Sequence, residues 1–365
     1  MKTALVHDWL NGMRGGEKVL EHICSLFPDA PLFTLHGEKE KLSPLLRQKD
    51  ILYSMIQNLP LRKKYYRYYL PFFPLAVERF RFDGFELVIS TSHCAAKGIK
   101  PADASCHVCY CFTPMRYVWE LSGDYFGENA LKHFLLNPFL SYLKSWDKKS
   151  SGRVFRFLTI SRTTQERIKR FYGRDSLVIY PPCNYPFDPD KEKKDFYLIL
   201  SALVPYKKID LAIRVFNETK LPLVIAGSGP DEDRLKKASG PNVAFTGWID
   251  EDKKEELLRS AKALIFPGVE DFGLTPLEAI AFGTPVVAYK KGGILETITE
   301  ETGVFFEEQN EPSLKGVLLS FERKPFVIEK KPDHFDRFSP EHFKKEFKSA
   351  IDETFDAFRK GKKFY

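Results

Sequence analysis

Two glutamates eight positions apart bracket the segment Glu270-Asp-Phe-Gly-Leu-Thr-Pro-Leu-Glu278. The apolar run before them ends at Phe266-Pro267, so Glu270 is expected in a strand-end loop. Thr275 reads as a helix N-cap, with Pro276 at the first helical position and Glu278 at the third. That puts Glu278 in the first helical turn, on the same rim as Glu270. Between them, backbone N–H groups near Gly273 and Leu274 make a helix N-terminus, which favours a bound phosphate. Carboxylates able to accept from sugar hydroxyls would then flank an anion-binding turn. The chemistry this suits is recognition of a sugar joined to a diphosphate. Taken alone, Glu278 reads equally well as a capping-box residue, and Glu270 as a solvated loop acid.

Other positions offer chemistry with less specificity. Gly15-Gly16 open a helix after the apolar run Thr3–His7, and glycine lets backbone N–H groups approach an anion closely. Neither Gly12, Gly15 and Gly16 nor Gly227-Ser-Gly229 completes a G-x-G-x-x-G fingerprint, which argues against a nicotinamide enzyme. His93, after Ser90-Thr-Ser, is a candidate for orienting an acceptor or a sugar, beside the plainer reading of a structural histidine. Asp8, at the end of the first apolar run, is a candidate acceptor contact. Cys106, Cys109 and Cys111 lack the paired-knuckle spacing of a zinc site and read as buried thiols.

The elements that must position these residues alternate along the chain. Apolar runs at 3–7, 85–90, 107–112 and 157–160 are each followed by helix-compatible sequence. A Pro- and charge-rich stretch, Tyr180–Lys194, reads as an interdomain linker. Alternation resumes with runs at 196–200, 223–226, 243–245, 263–266 and 285–288. Repeated β-α units in both halves predict two parallel sheets with helices on both faces, with ligands outside the carboxyl ends of the strands. The length of 365 residues accommodates two such domains. Hydrophobic residues at 43% and charged residues at 29% exclude disorder over most of the chain, and no apolar run reaches the length of a membrane span. An aspartate at position 8 argues against a signal peptide, and six cysteines are too sparse for a disulfide scaffold, so a cytoplasmic, reduced protein is expected. The net charge of +7 is uneven: residues 1–180 hold 27 Lys+Arg against 17 Asp+Glu, and the remainder is slightly acidic.

The spacing of Glu270 and Glu278, with Phe272-Gly273 and Pro276 inside it and Gly283-Thr-Pro-Val-Val-Ala288 after it, resembles the signature of family 4 glycosyltransferases. The resemblance runs over nearly the whole chain. It includes Tyr180-Pro-Pro182, Leu203-Val-Pro-Tyr-Lys-Lys-Ile-Asp210, Ala226-Gly-Ser-Gly-Pro230, Phe245-Thr-Gly-Trp-Ile249 and Gly292-Gly293 with Glu296. It implies a retaining enzyme of the α/β GT-B class, two Rossmann-like domains facing each other across a cleft. The domains would cover 1–185, completed by a C-terminal helix at 339–360, and 190–335. Glu278 would hold the nucleotide ribose and Glu270 would lie against the transferred sugar. Phe272, Gly273, Leu274 and Thr275 would meet sugar and diphosphate through backbone N–H groups. Lys207 would neutralise the departing diphosphate. Gly15, Gly16, Lys208, Gly229 and Ile249 would complete the donor contacts. The arginine that many relatives carry five or six residues before this lysine is absent, since the region reads Leu200-Ser-Ala-Leu203, and Lys208 or an arginine of the first half is the candidate replacement.

Cys111-Phe-Thr-Pro-Met-Arg-Tyr-Val-Trp119 resembles a motif of the mannosyltransferases of O-antigen and related polysaccharide assembly, with Phe112 where several relatives have His. Arg116 and Tyr117 follow as acceptor contacts. The resemblance implies transfer of a sugar, mannose from GDP-mannose in the first instance, to a lipid-linked glycan, as in lipopolysaccharide synthesis. No metal and no cofactor beyond the nucleotide sugar are expected. Segment 61–82 opens with Leu-Arg-Lys-Lys-Tyr-Tyr-Arg-Tyr-Tyr-Leu and suits an anionic membrane surface better than nucleic acid, with peripheral placement on the inner face of the cell membrane. The competing readings are a nucleotide-sugar epimerase of the same fold and a non-catalytic, membrane-bound sugar-nucleotide binding protein.

Overall fold

Strands whose two faces are both covered read as continuous apolar runs, and central strands of this chain such as Thr3–His7 and Ala263–Phe266 do so. The computed structural model describes residues 1–119, 130–190, 192–362 and 364, with the side chains of Lys64, Tyr117 and residues 130–136 outside that description. The chain divides into two units, Met1–Pro182 with Pro340–Tyr365, and Cys183–Ser339.

The first unit carries a seven-stranded sheet. Its strands are β1 (Thr3–His7), β2 (Leu32–Thr34), β3 (Ile51–Tyr53), β4 (Leu87–Ser92), β5 (Cys106–Cys111), β6 (Arg156–Thr159) and β7 (Ser176–Val178). They lie in the order β3-β2-β1-β4-β5-β6-β7, all parallel, with Leu5 beside Ile89 across the central pair. The order reverses between β1 and β4, so the topological switch point lies there. Helix α1 (Gly15–Leu26) turns Val19, Leu20 and Ile23 to the core. Helix α2 (Arg162–Tyr172) starts where Ser161 Oγ accepts from Thr164 N–H and stops at Gly173, φ +70°. The C-terminal helix Pro340–Arg359 packs on this unit, with Phe343 and Phe347 buried 5.9 and 5.7 Å from the Tyr110 ring.

One buried charge pair stands in this unit. Lys97 Nζ lies 2.7 Å from Asp147 Oδ1, while Trp119 Nε1 and Tyr172 OH each donate to Asp147 Oδ2 at 2.7 Å. Such a pair tolerates burial because opposite charges meet and hydrogen bonds support the carboxylate.

The second unit holds a six-stranded parallel sheet. Its strands are β8 (Tyr197–Leu200), β9 (Leu223–Ala226), β10 (Val243–Gly247), β11 (Ala263–Phe266), β12 (Val286–Tyr289) and β13 (Gly303–Phe306), in the order β10-β9-β8-β11-β12-β13. Here the switch point lies between β8 and β11. Helices α3 (Ile209–Thr219), α4 (Glu251–Ser260), α5 (Leu274–Ala281) and α6 (Glu311–Arg323) belong to it. Its core joins Tyr197, Ile199, Phe216, Ile225 and Ile265 to Leu314 and Leu318 of α6.

Residues 183–190 and 192–194, within the stretch read as an interdomain linker, pack against the second unit. Asp188 N donates to Ala281 O at 2.8 Å, and Lys193 Nζ reaches Arg259 O, Phe282 O and Thr284 Oγ1 within 2.9 Å. Burial lowers the Lys193 pKa to about 8. The two ends of the unit also meet: Cys183 N donates to Phe338 O at 2.8 Å.

Segment 61–82 is split between core and surface. Tyr66, Tyr69, Leu70, Phe73, Val77 and Phe82 pack inward. Leu61 and Tyr68 are 73% and 77% exposed, with Phe72 and Leu75 also outward. Leu61 adopts φ +54°, a left-handed conformation uncommon for a leucine. Among the described residues, no helix is long and apolar enough to cross a membrane.

Candidate active site

In an open α/β sheet the strands flanking the switch point deliver their following loops to one crevice. In the second unit those strands are β8 and β11. Lys207 lies on the short turn Pro205–Lys207 after β8, and Glu270 in the loop after β11. Lys207 Nζ contacts Glu270 Oε1 directly. The two loops meet this closely because position 268 is glycine: a Cβ there would lie 2.9 Å from Lys207 Cα and O. Glu270 is also held through its backbone. It bridges to Gly292, and its carbonyl accepts from Gly293 N at 2.9 Å. A Cβ at Gly293 would sit 2.0 Å from Asp271 O, so the glycine pair is a packing requirement. Lys208 is exposed and serves as N-cap of α3 with φ +53°. Gly229 lies against the backbone of Leu203 in the adjoining loop. Ile249 is half-buried after β10, beside an exposed Trp248.

Helix α5 begins earlier than the sequence predicts. Gly273, at φ +98°, is its N-cap, so Thr275 and Pro276 are the second and third helical residues and Glu278 the fifth. The left-handed turn at glycine starts the helix two residues before the expected Thr-Pro boundary. No side chain caps this end, leaving its first N–H groups to a ligand or water. Phe272 is buried, 5.8 Å from the Phe338 ring, so its backbone alone is available to a ligand. The capping-box reading of Glu278 therefore falls. Its carboxylate turns to Lys254 of α4, with Nζ 2.6 Å from Oε1. Lys254 escapes sequence reasoning because Glu251-Asp-Lys-Lys-Glu-Glu256 reads as a solvated charged face.

In the first unit the loops after β1 and β4 flank the switch point and bring Asp8 and His93 together. Asp8 was expected to face an acceptor, and the structure gives it a different task. Its Oδ1 accepts from Ala95 N and Ala96 N at 2.6 and 2.7 Å, and its Oδ2 from His93 N and Cys94 N at 2.7 and 2.9 Å. With no exposed surface and four N–H donors, this carboxylate anchors the loop after β4. His93 Nδ1 lies 3.2 Å from Asp8 Oδ2, and its ring stands edge-on to Trp9 at 4.4 Å. Burial lowers its pKa, against the opposing pull of Asp8. A neutral, partly exposed imidazole so placed can exchange hydrogen bonds with hydroxyls.

Gly15 and Gly16 open α1, whose N-terminus has no side-chain cap. Two groups beside them were not anticipated. His7 pairs through Nδ1 with Thr91 Oγ1 at 2.7 Å, and burial lowers its pKa to about 3. Glu17 is buried in the first turn of α1, and burial raises its pKa to about 7. Within an apolar strand and a helix start, neither carries a sequence signal of its own. Arg116, half-buried, begins the short helix Arg116–Trp119 after β5, while the expected Tyr117 side chain lies outside the described residues. The cysteines are buried and outside any disulfide, and no cluster of three or more His, Cys, Asp or Glu is placed to hold a metal among the described residues.

A cation and a carboxylate thus meet beside an uncapped helix start at the switch point of a Rossmann-like unit. Residues 184–342, nearly the whole of the second unit, match the family described as Glycosyl transferases group 1. The chain is 31% identical to an uncharacterised glycosyltransferase of Methanocaldococcus jannaschii, over 52% of this chain and 57% of that protein. It is 25% identical to the O-antigen chain mannosyltransferase RfbU of Salmonella typhimurium, over 56% of this chain and 61% of that protein. It thus spans less than two thirds of the length of these curated relatives. Anabaena HepE, solved in complex with UDP, superposes with a TM-score of 0.67 at 16% identity, over 97% of this chain and all of that one. This likeness shows the fold: two Rossmann-like α/β units of the GT-B class.

Proposed function

We propose that this chain is a retaining family 4 glycosyltransferase that moves a sugar from a nucleotide diphosphate sugar to a hydroxyl of a growing glycan. The observation that carries the reading is the Lys207–Glu270 contact beside the uncapped start of α5. The acceptor oxygen bonds to the anomeric carbon as the carbon–phosphate-oxygen bond breaks on the same face, and the acceptor's proton passes to the leaving phosphate. Lys207 and the helix N–H groups meet the charge that builds on that phosphate. Glu270 accepts from sugar hydroxyls and Glu278 from the ribose. His93 and Arg116 are assigned to the acceptor. Mannose from GDP-mannose is the first donor to try, because relatives such as RfbU are named mannosyltransferases. UDP-glucose is the necessary comparison, since the HepE structure holds UDP.

The test follows nucleoside diphosphate release from each donor, with and without glycolipid acceptors, in EDTA and in magnesium. Acceptor-dependent release that EDTA leaves unchanged is expected. Loss of activity in EDTA, restored by a divalent ion, would refute metal independence. Free sugar with no transferred product would favour an epimerase, and donor binding without turnover a non-catalytic binding protein.

The acceptor is proposed to be lipid-linked and presented at an anionic membrane. Support comes from the outward Leu61, Tyr68, Phe72 and Leu75 beside Arg62, Lys63 and Arg67. Vesicles containing phosphatidylglycerol are expected to bind the protein, and binding should weaken as salt rises. Equal binding to neutral vesicles would remove the electrostatic part.

A further inference from the structure

We propose that Lys254 is a positioning residue for ribonucleotide binding: it holds the Glu278 carboxylate so that the remaining lone pairs accept from the vicinal ribose hydroxyls. The inference rests on the donor-site reading given above.

Lys254 comes from α4 and Glu278 from α5, and both are nearly buried, with side chains 13% and 10% exposed. The ammonium is bracketed on three sides. Nζ lies 2.6 Å from Glu278 Oε1 and 3.6 Å from Glu251 Oε2, and sits 5.3 Å from the centre of the Tyr185 ring. Tyr185 is fixed in turn, since its OH donates to Glu251 Oε2 at 2.9 Å and its ring packs on Phe282 at 4.8 Å. A nearly buried carboxylate needs a partner to keep one rotamer, and Lys254 supplies it. An ionised carboxylate offers about four lone-pair directions. The lysine occupies one, on Oε1, which leaves the rest for two neighbouring hydroxyls. Lys254 is thereby assigned to binding, in contrast to Lys207, whose partner is Glu270.

The experiment measures calorimetric Kd values of the full chain for GDP and UDP and for their 2′,3′-dideoxy forms, with donor KM and kcat alongside. Lys254→Met is expected to weaken the preferred ribonucleotide about tenfold. It should leave its dideoxy form unchanged and raise donor KM with kcat retained. Lys254→Arg should recover most of the loss. If Lys254→Met does not fold, Lys254→Gln, which keeps a donor, is read in the same way and should fall between wild type and a full loss. Equal weakening of ribo and dideoxy forms, or no weakening, overturns the proposal. Glu278→Ala separates the two levels. If it leaves the preference for ribose hydroxyls intact, the reading of the pocket fails. If it abolishes that preference while the Lys254 variants do not reduce it, the positioning role alone fails.

Discussion

Lys207→Ala is expected to lower kcat by about 10²–10³ at saturating donor, with thermal melting little changed. Lys207 stands on a three-residue turn and not within a long helix, so its side chain can be cut without breaking an element. Its ammonium is set in place by Glu270 before any ligand arrives. A cation so placed needs no reorganisation as charge develops on a leaving phosphate, the situation in which one electrostatic contact is worth about 3–4 kcal/mol. The loss should stop short of completeness because, in the proposed reading, the uncapped start of α5 would still face the leaving phosphate. Lys207→Arg keeps the charge but spreads it over a planar fork, so a partial recovery is expected. Near-normal turnover in Lys207→Ala would remove the residue from the mechanism.

Glu270→Ala is expected to cost a similar factor, about 10²–10³ in kcat, for a separate reason. The loop that carries Glu270 is held by backbone contacts, through the bridge to Gly292 and the Gly293 N–H on its carbonyl. Removing the carboxylate therefore leaves the loop in place, and the loss reports the side chain itself: its proposed contact to the transferred sugar together with its hold on Lys207. Because the two side chains touch, their effects should not multiply. The double variant should lose clearly less than the product of the two single losses. Single-turnover rates with saturating donor measure all three, and full multiplicativity would show that the contact has no catalytic meaning.

The sequence was legible where local rules govern and opaque where distant groups decide. Strand runs such as Leu198-Ile-Leu200 and Ala263-Leu-Ile-Phe266 are apolar because both faces are covered, so their positions could be read directly. The loops bearing Lys207 and Glu270 followed from that alternation. The start of α5 was misplaced because a glycine in the left-handed region overrode a good Thr-Pro start, and nothing local announces that φ. Asp8 was misread because its donors, the N–H groups of residues 93–96, lie more than 80 positions away. The Lys254–Glu278 pair spans 24 residues and two helices, beyond any spacing rule. The stretch after Pro182 had the composition of a linker, yet Lys193 found three oxygen partners on the second unit.

The backbone hydrogen bond between Cys183 and Phe338 has an evolutionary consequence. A module that begins and ends at one point is an insert in a host fold, and the host here is completed by the C-terminal helix. Inserts of this kind can be traded between genes as cassettes, because neither host nor guest is stretched by the exchange. The matched family segment, 184–342, coincides with the folded insert, Cys183–Ser339, to within three residues at either end. The family match therefore follows the boundaries of the second unit.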